Sequence, residues 1–301
     1  MQTAYYDAMR PFEYHCPTSL KEAIDLLARS RGRARPLAGG TDLLVKLRLG
    51  AIDTDGVIDI KRIRDTTRIT FDTKQGLTIG AAVSCAELCE HRDVRFRYPG
   101  LVDAASLIGG TGIQARATLG GNLCNAAPSA DGAPALIVLG ARCLIAGPKG
   151  KRWLPVEQFC VAPGRTALSA GEMLVALRMP PPVPRSGAGY VRFIPRGEMD
   201  IAVAGAGAWL ALARGLVAEA RLALAAVAPR PLPVPSACAA LVGKPAGEEA
   251  FGEAARIARE WASPISDVRG TAEQRRHLVG VLVKRALTLA AERAGAGRAR
   301  R

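Results

Sequence analysis

Between Thr118 and Pro134 the chain reads T-L-G-G-N-L-C-N-A-A-P-S-A-D-G-A-P, a stretch with two adjacent glycines, two asparagines, one aspartate and no cation. Gly120-Gly121 can take backbone angles closed to other residues and present N–H groups with no side chain in front of them. Asn122 and Asn125 add amide donors and acceptors, and Asp131 adds a carboxylate acceptor. This inventory suits a backbone cradle for an anionic, hydroxyl-rich ligand such as a pyrophosphate with its ribose or ribityl chain. It also suits a plain turn between two strands.

A second stretch bears on that choice. Arg35 to Leu49 reads R-P-L-A-G-G-T-D-L-L-V-K-L-R-L. The order is a short apolar run, a double glycine, a Thr-Asp pair, and apolar residues at Leu43, Leu44 and Leu47. That pattern predicts strand, turn and helix start, and the first turn of a helix offers unpaired N–H groups to an anion. Two such cradles in one chain could hold the two phosphates of a dinucleotide from either side.

Taken together, A-G-G-T-D-L at Ala38–Leu43 and T-L-G-G-N-L-C-N-A-A-P-S-A-D at Thr118–Asp131 closely resemble the FAD-binding medium subunit of the molybdenum hydroxylases. That family includes bacterial xanthine dehydrogenases, carbon monoxide dehydrogenases and aldehyde or heteroaromatic oxidoreductases. The resemblance extends from Phe12-Glu13-Tyr14 to R-R-H-L-V-G-V-L-V-K-R-A-L at Arg275–Leu287. It implies an α+β fold: the two-subdomain FAD-binding fold of the vanillyl-alcohol oxidase and p-cresol methylhydroxylase type, followed by a small α+β C-terminal domain.

The resemblance also implies roles. Leu37, Ala38, Gly39, Gly40, Thr41, Asp42 and Leu43 match the first pyrophosphate-binding segment. Thr118, Gly121, Asn122, Cys124, Asn125 and Asp131 match the second, with the aspartate suited to a ribose or adenine contact. Leu174 matches an apolar residue against the adenine or flavin, and the turn at Ile108 lies close to the flavin ring in relatives. Arg192, in Y-V-R-F-I-P-R-G-E-M-D, stands where relatives often have a lysine near the flavin carbonyls; a surface strand arginine is the alternative. At G-T-G-I-Q-A-R-A-T this chain has Gln114 and Ala115 where the family has an Arg-Asn pair.

The implied activity is electron transfer by an FAD-carrying oxidoreductase subunit, with no catalytic residue of its own. A large partner subunit would carry the molybdenum cofactor and a small one two 2Fe-2S clusters, in a dimer of heterotrimers. Electrons would pass on to NAD, a quinone or oxygen. Two other readings are a stand-alone FAD oxidase of the related fold and a phosphate- or nucleic-acid-binding adaptor. The first lacks a covalent-flavin motif. Against the second, the net charge of +14 comes from 41 scattered Lys and Arg residues, with aromatics at only 5%.

Other chemistries find little footing. Seven cysteines spread singly, with no C-x-x-C, argue against a disulfide framework or a metal site on this chain. Cys85 and Cys89 share a helical face but have no further ligand nearby. No G-x-S-x-G elbow appears, and G-P-K-G-K fails the phosphate-loop pattern, so it reads as a hairpin turn. No apolar run approaches a membrane span and no leader is visible, so the expected location is the cytoplasm.

The linker follows from composition, and the domains on either side of it from the resemblance. Residues 1–179 are expected to form the FAD-binding domain, with subdomains at about 1–55 and 56–179. The proline-rich 180–189 reads as a linker, 190–293 as the C-terminal α+β domain, and 294–301 as a basic tail. Ser19/Glu22 and Ser84/Glu87 have capping spacing, and a short helix is expected to start at Pro134. The alanine-rich Ile201–Leu212 and Ala220–Val227 read as strands, although their composition also suits helix.

Overall fold

The computed structural model describes residues 9–295; the basic tail from residue 296 on lies outside the described residues. The first lobe contains β1 (Glu13–His15), α1 (Leu20–Arg29), β2 (Ala34–Leu37), α2 (Leu43–Arg48) and β3 (Gly56–Asp59). Its three strands pair in parallel in the order β1-β3-β2. Ser19 caps α1 by accepting the Glu22 N–H at 3.2 Å, while the Glu22 carboxylate takes the Thr18 N–H. Ala23 and Leu27 of α1 then bury against Ile58, Ile60 and Ile63. The expected subdomain break at residue 55 needs correcting. It falls just before β3, which is the central strand of this sheet, so the lobe cannot end there.

The second lobe begins with a helical turn α3 (Arg64–Thr67) and the hairpin of β4 (Ile69–Asp72) and β5 (Gly76–Gly80). Helices α4 (Cys85–Glu90), α5 (Arg92–Arg97), α6 (Pro99–Ala105), α7 (Thr111–Gln114), α8 (Leu119–Asn125) and α9 (Gly132–Val138) follow. The lobe closes with β6 (Arg142–Gly147), β7 (Gly150–Pro155), a small ribbon of β8 (Cys160–Ala162) and β9 (Arg165–Thr166), and β10 (Met173–Met179). The main sheet is antiparallel, in the order β4-β5-β10-β6-β7. Central β10 reads M-L-V-A-L-R-M because both its faces are covered. Met173 and Val175 enter the first lobe's core, whereas Leu174 and Leu177 enter the second's. Helix α9 starts at Gly132, not at the expected Pro134. A proline in the first turn loses no intrahelical bond, so it does not mark the start.

Strands β11 (Ser186–Phe193), β12 (Ala204–Ala213), β13 (Leu216–Ala225) and β14 (Leu232–Pro233) form a four-stranded antiparallel meander. Helices α10 (Pro235–Leu241), α11 (Glu248–Trp261) and α12 (Ala272–Gly295) complete the C-terminal domain. Since β11 starts at Ser186, the expected linker 180–189 is too long; its last four residues are already paired in the sheet. The alanines and glycines of β12 are strand because both faces are covered at short range. A side chain on Gly207 would sit 3.1 Å from the Pro134 backbone of α9. On the other face, Ala206, Ala208 and Leu210 pack with Val283, Ala286 and Leu287 of α12. Buried Arg275 donates to the carbonyls of Val203 and Ala226 and pairs with Asp267 at 2.7 Å, pinning the start of α12 to the strand ends. Arg293, near the end of α12, meets Asp103 of α6 at 2.5 and 2.9 Å, which joins the two domains.

Candidate functional site

Two glycine-bearing loops meet face to face between the lobes. The first leaves β2 and enters α2; the second precedes α8. Gly39 lies so close to the second loop that a Cβ on it would stand 1.8 Å from the Arg116 carbonyl oxygen, so only glycine permits the approach. Thr118 caps α8, its Oγ1 accepting the Gly121 N–H at 2.8 Å. A Cβ on Gly121 would meet only that hydroxyl, at 3.0 Å; its other side is open. The double glycine at 120–121 is thus the first turn of a helix rather than a turn between strands. Gly120 packs on Ala81, and Gly121 leaves bare backbone toward the cleft.

The cleft between the lobes has a volume of about 520 Å³. Ala38, Gly39, Gly40, Thr41, Asp42 and Leu43 line it from one side; Thr118, Gly121, Asn122, Cys124 and Asn125 line it from the other. Ile108 and Leu174 also face it. Leu37 does not: it is the last residue of β2, spent on pairing with Asp59.

Several polar side chains expected to meet a ligand are engaged within the protein. Asn122 Oδ1 accepts the Gly132 N–H at 3.2 Å and holds the segment between α8 and α9. Asn125 bridges the loops, its Nδ2 donating to Asp42 Oδ1 at 2.9 Å and its Oδ1 accepting from Lys46 Nζ. Lys61 donates to the Ala38 carbonyl at 3.0 Å and pairs with Asp59, which fixes the entry to the first loop. Gln114, standing where the family pattern has an arginine, donates to the carbonyls of Ser106 and Gly109 and holds the bend beside Ile108.

Asp131 and Arg192 stand apart from the other expected residues. Neither lines the cleft. They pair with each other at 2.5 Å, with side chains only 8% and 7% exposed, and Asp131 Oδ1 also accepts the Tyr190 hydroxyl at 2.7 Å. Burial pushes the Asp131 carboxyl up to about 6, against the opposing pull of the Arg192 guanidinium and the Tyr190 hydroxyl. The pair joins the start of α9 to β11, and removing either partner would leave the other an uncompensated buried charge.

Three lining features lay outside the sequence reading. Lys46 sits four residues after Asp42 on α2, a spacing that could have placed it on the same side. Arg35, exposed on β2, borders the rim. The third wall, Gly164 to Met173, reads G-R-T-A-L-S-A-G-E-M, which carries no motif beyond that of a surface loop. It is shaped by Arg152, which grips Glu172 at 2.7 and 2.8 Å and also donates to the Ala167 carbonyl. Gly164 N–H binds the Ala126 carbonyl at the end of α8, tying that wall to the second loop.

A long cleft faced by bare backbone from two lobes, with its side chains turned to bracing the loops, defines a protein that holds an extended anionic ligand. Residues 10–182 match the model of the FAD binding domain in molybdopterin dehydrogenase, and residues 189–290 match that of the CO dehydrogenase flavoprotein C-terminal domain. The chain belongs to this family of FAD-binding subunits of molybdenum-dependent dehydrogenases, a class of oxidoreductases. It is 33% identical to the carbon monoxide dehydrogenase medium chain of Hydrogenophaga pseudoflava over 279 residues, covering 93% of this chain and 96% of that one. It is 36% identical to the xanthine dehydrogenase FAD-binding subunit of Escherichia coli O157:H7 over 193 residues, 64% of this chain and 66% of that subunit's length. A solved structure of reconstituted CO dehydrogenase from Oligotropha carboxidovorans superposes with a TM-score of 0.91 at 30% identity, covering 95% of this chain and 99% of that one. Quinoline 2-oxidoreductase from Pseudomonas putida 86 gives 0.89, with the same identity and coverage.

The residues present fit FAD. Gly39 lets the two loops close on each other, Gly121 keeps the second loop bare on the side where a diphosphate could approach backbone, and the apolar Ile108 and Leu174 suit a ring system. Among the described residues no helix is long and apolar enough to cross a membrane, and no three His, Cys, Asp or Glu side chains gather as a metal site.

Proposed function

We propose that this chain is the FAD-carrying electron-transfer subunit of a multi-subunit molybdenum hydroxylase in the cytoplasm. It takes electrons from the 2Fe-2S clusters of a small partner subunit and hands them to NAD, a quinone or another acceptor. A large partner subunit carries the molybdenum cofactor and selects the organic substrate, and the whole assembles as a dimer of heterotrimers. When bound, FAD supplies the redox chemistry, as a two-electron acceptor that can release electrons singly.

The chain's own residues bind and orient. Ala38–Leu43 and Thr118–Asn125 hold the diphosphate from two sides, chiefly by backbone. Ile108 and Leu174 offer apolar contact to the rings, and Arg152 with Glu172 sets the wall that limits water entry. The observation that carries this reading is the open face of Gly121, where a Cβ would meet nothing but the Thr118 hydroxyl. Names of relatives support the partner assignment, since they are medium chains or FAD-subunits of dehydrogenases. A stand-alone oxidase finds no support in the cleft. Its charged side chains are Arg35, Asp42, Lys46 and Glu172; both carboxylates are already bonded within the protein, and neither is left free to act as a general base toward a substrate.

The test is Gly121→Val. Its branched side chain would fill the bare face, so the purified variant should fold, by circular dichroism, but lose bound flavin. Flavin kept at the wild-type ratio would sink the reading. So would oxidation of an aldehyde, purine or hydroxyaromatic by the isolated chain.

A further inference from the structure

Lys46 lies in the last turn of α2 and lines the cleft. Asp42 stands one helical turn earlier on the same side, and both reach Asn125 on the facing α8. An ammonium group has only protons to give and a carboxylate only lone pairs to accept. Asn125 must therefore point its Oδ1 at Lys46 and its Nδ2 at Asp42, which engages the amide at both ends. Lys46 is in the opposite condition: it has three N–H donors, and Asn125 takes one. Among the described residues neither nearby carboxylate forms a salt bridge with it. Asp42 binds Asn125, and Glu172 is gripped by Arg152. A half-buried cation thus faces the cleft, bonded to a neutral amide and with donors to spare.

We infer that Lys46 is the charged side chain that binds the diphosphate of the dinucleotide, and that Asp42 and Asn125 are the pair that positions it. The inference rests on the reading of the cleft as an FAD site and deepens it, for it moves the ligand contact from Asn125, where the sequence put it, to a residue the sequence left out. The two loops then divide their tasks. Backbone supplies shape, and one clamped ammonium supplies charge.

The experiment uses the full chain freed of flavin, titrated with FAD and separately with ADP, a diphosphate without the flavin half, at low and at high salt. Wild type should bind both ligands, more weakly as salt rises. Lys46→Met should weaken both by roughly ten- to a hundredfold, the size of a hydrogen bond to a charged group, and should flatten the salt dependence. Lys46→Arg should restore most of the affinity. Asn125→Ala leaves the charge in place, so it should weaken binding less than Lys46→Met while keeping the wild-type salt slope. Thermal melting verifies folding, and Lys46→Gln replaces Lys46→Met with the same expectations if that variant fails to fold. Wild-type affinity and salt slope in Lys46→Met would overturn the assignment and leave the FAD reading standing. A loss for FAD but not for ADP would place Lys46 away from the diphosphate and also overturn it. If wild type binds neither ligand, the FAD reading itself falls.

Discussion

The second glycine loop and the Asp131–Arg192 pair lie within a dozen residues of each other in sequence at Asn122 and Asp131, yet they obey opposite rules. At the loop, polar side chains bond within the protein so that backbone can face an open cleft. At the pair, two full charges leave water altogether and face each other at 2.5 Å. Asn122 and Asp131 belong to one motif in the sequence. What separates them is burial. A charge less than a tenth exposed must be paired in place, whereas bare backbone beside solvent can wait for a ligand.

The largest expected effect tests the buried side of this contrast. Asp131→Ala, or Arg192→Ala alone, strands one uncompensated charge in the core and should cost about 3–5 kcal/mol by denaturant unfolding. The protein that remains folded should keep nearly normal FAD affinity. A variant with unchanged stability but lost flavin would show that Arg192 serves the ligand, and the contrast would break.

A smaller loss of stability is expected at the loops. Gly39→Ala forces a Cβ into the Arg116 carbonyl, at 1.8 Å, and this neighbour is backbone that cannot swing aside. Overpacking of this kind should cost about 1–3 kcal/mol. Unlike the change at Asp131, it should also spread the loops and weaken FAD, which a flavin fluorescence titration would show. Stability lost without any loss of FAD would mean the loop contact is structural only.

The smallest effect is one of pH. Burial raises the Asp131 carboxyl to about 6 in the folded chain, above the value of about 4 for an unfolded aspartate. The folded chain therefore holds this proton more tightly than the unfolded one. The group's stabilising contribution is complete below about pH 4 and is lost as pH rises through 6. Melting temperatures taken from pH 7 down to 5 should show this contribution in wild type, and Asp131→Asn should remove it. An Asp131→Asn profile parallel to wild type would mean the carboxyl is not shifted upward.

Much of the site was legible because it depends on residues with few alternative uses. Two double-glycine segments, each leading into a capped helix, specify two backbone approaches, and the lining residues from Ala38 to Leu43 and from Thr118 to Asn125 follow from them. The Ser19 and Ser84 caps were readable because they are local, settled within a few residues by hydrogen bonds the sequence itself supplies.

Everything that depended on distant partners was decided by the tertiary structure. β3 joined the first lobe because it lies between β1 and β2, which composition near residue 55 does not reveal. The alanine-rich β12 is strand because α9 and α12 cover both its faces closely enough to favour small side chains. Asp131 is a buried anchor because β11 brings Tyr190 and Arg192 to it across some 60 residues. Asn125 became a brace, and Lys46 a cleft-facing cation, only when α2 and α8 came face to face. Sequence by itself determined where backbone must stay bare, since steric exclusion at a glycine is a local property. The fate of each polar side chain depended on which charge or amide the fold brought within 3 Å, because burial sets the cost of leaving it unpaired.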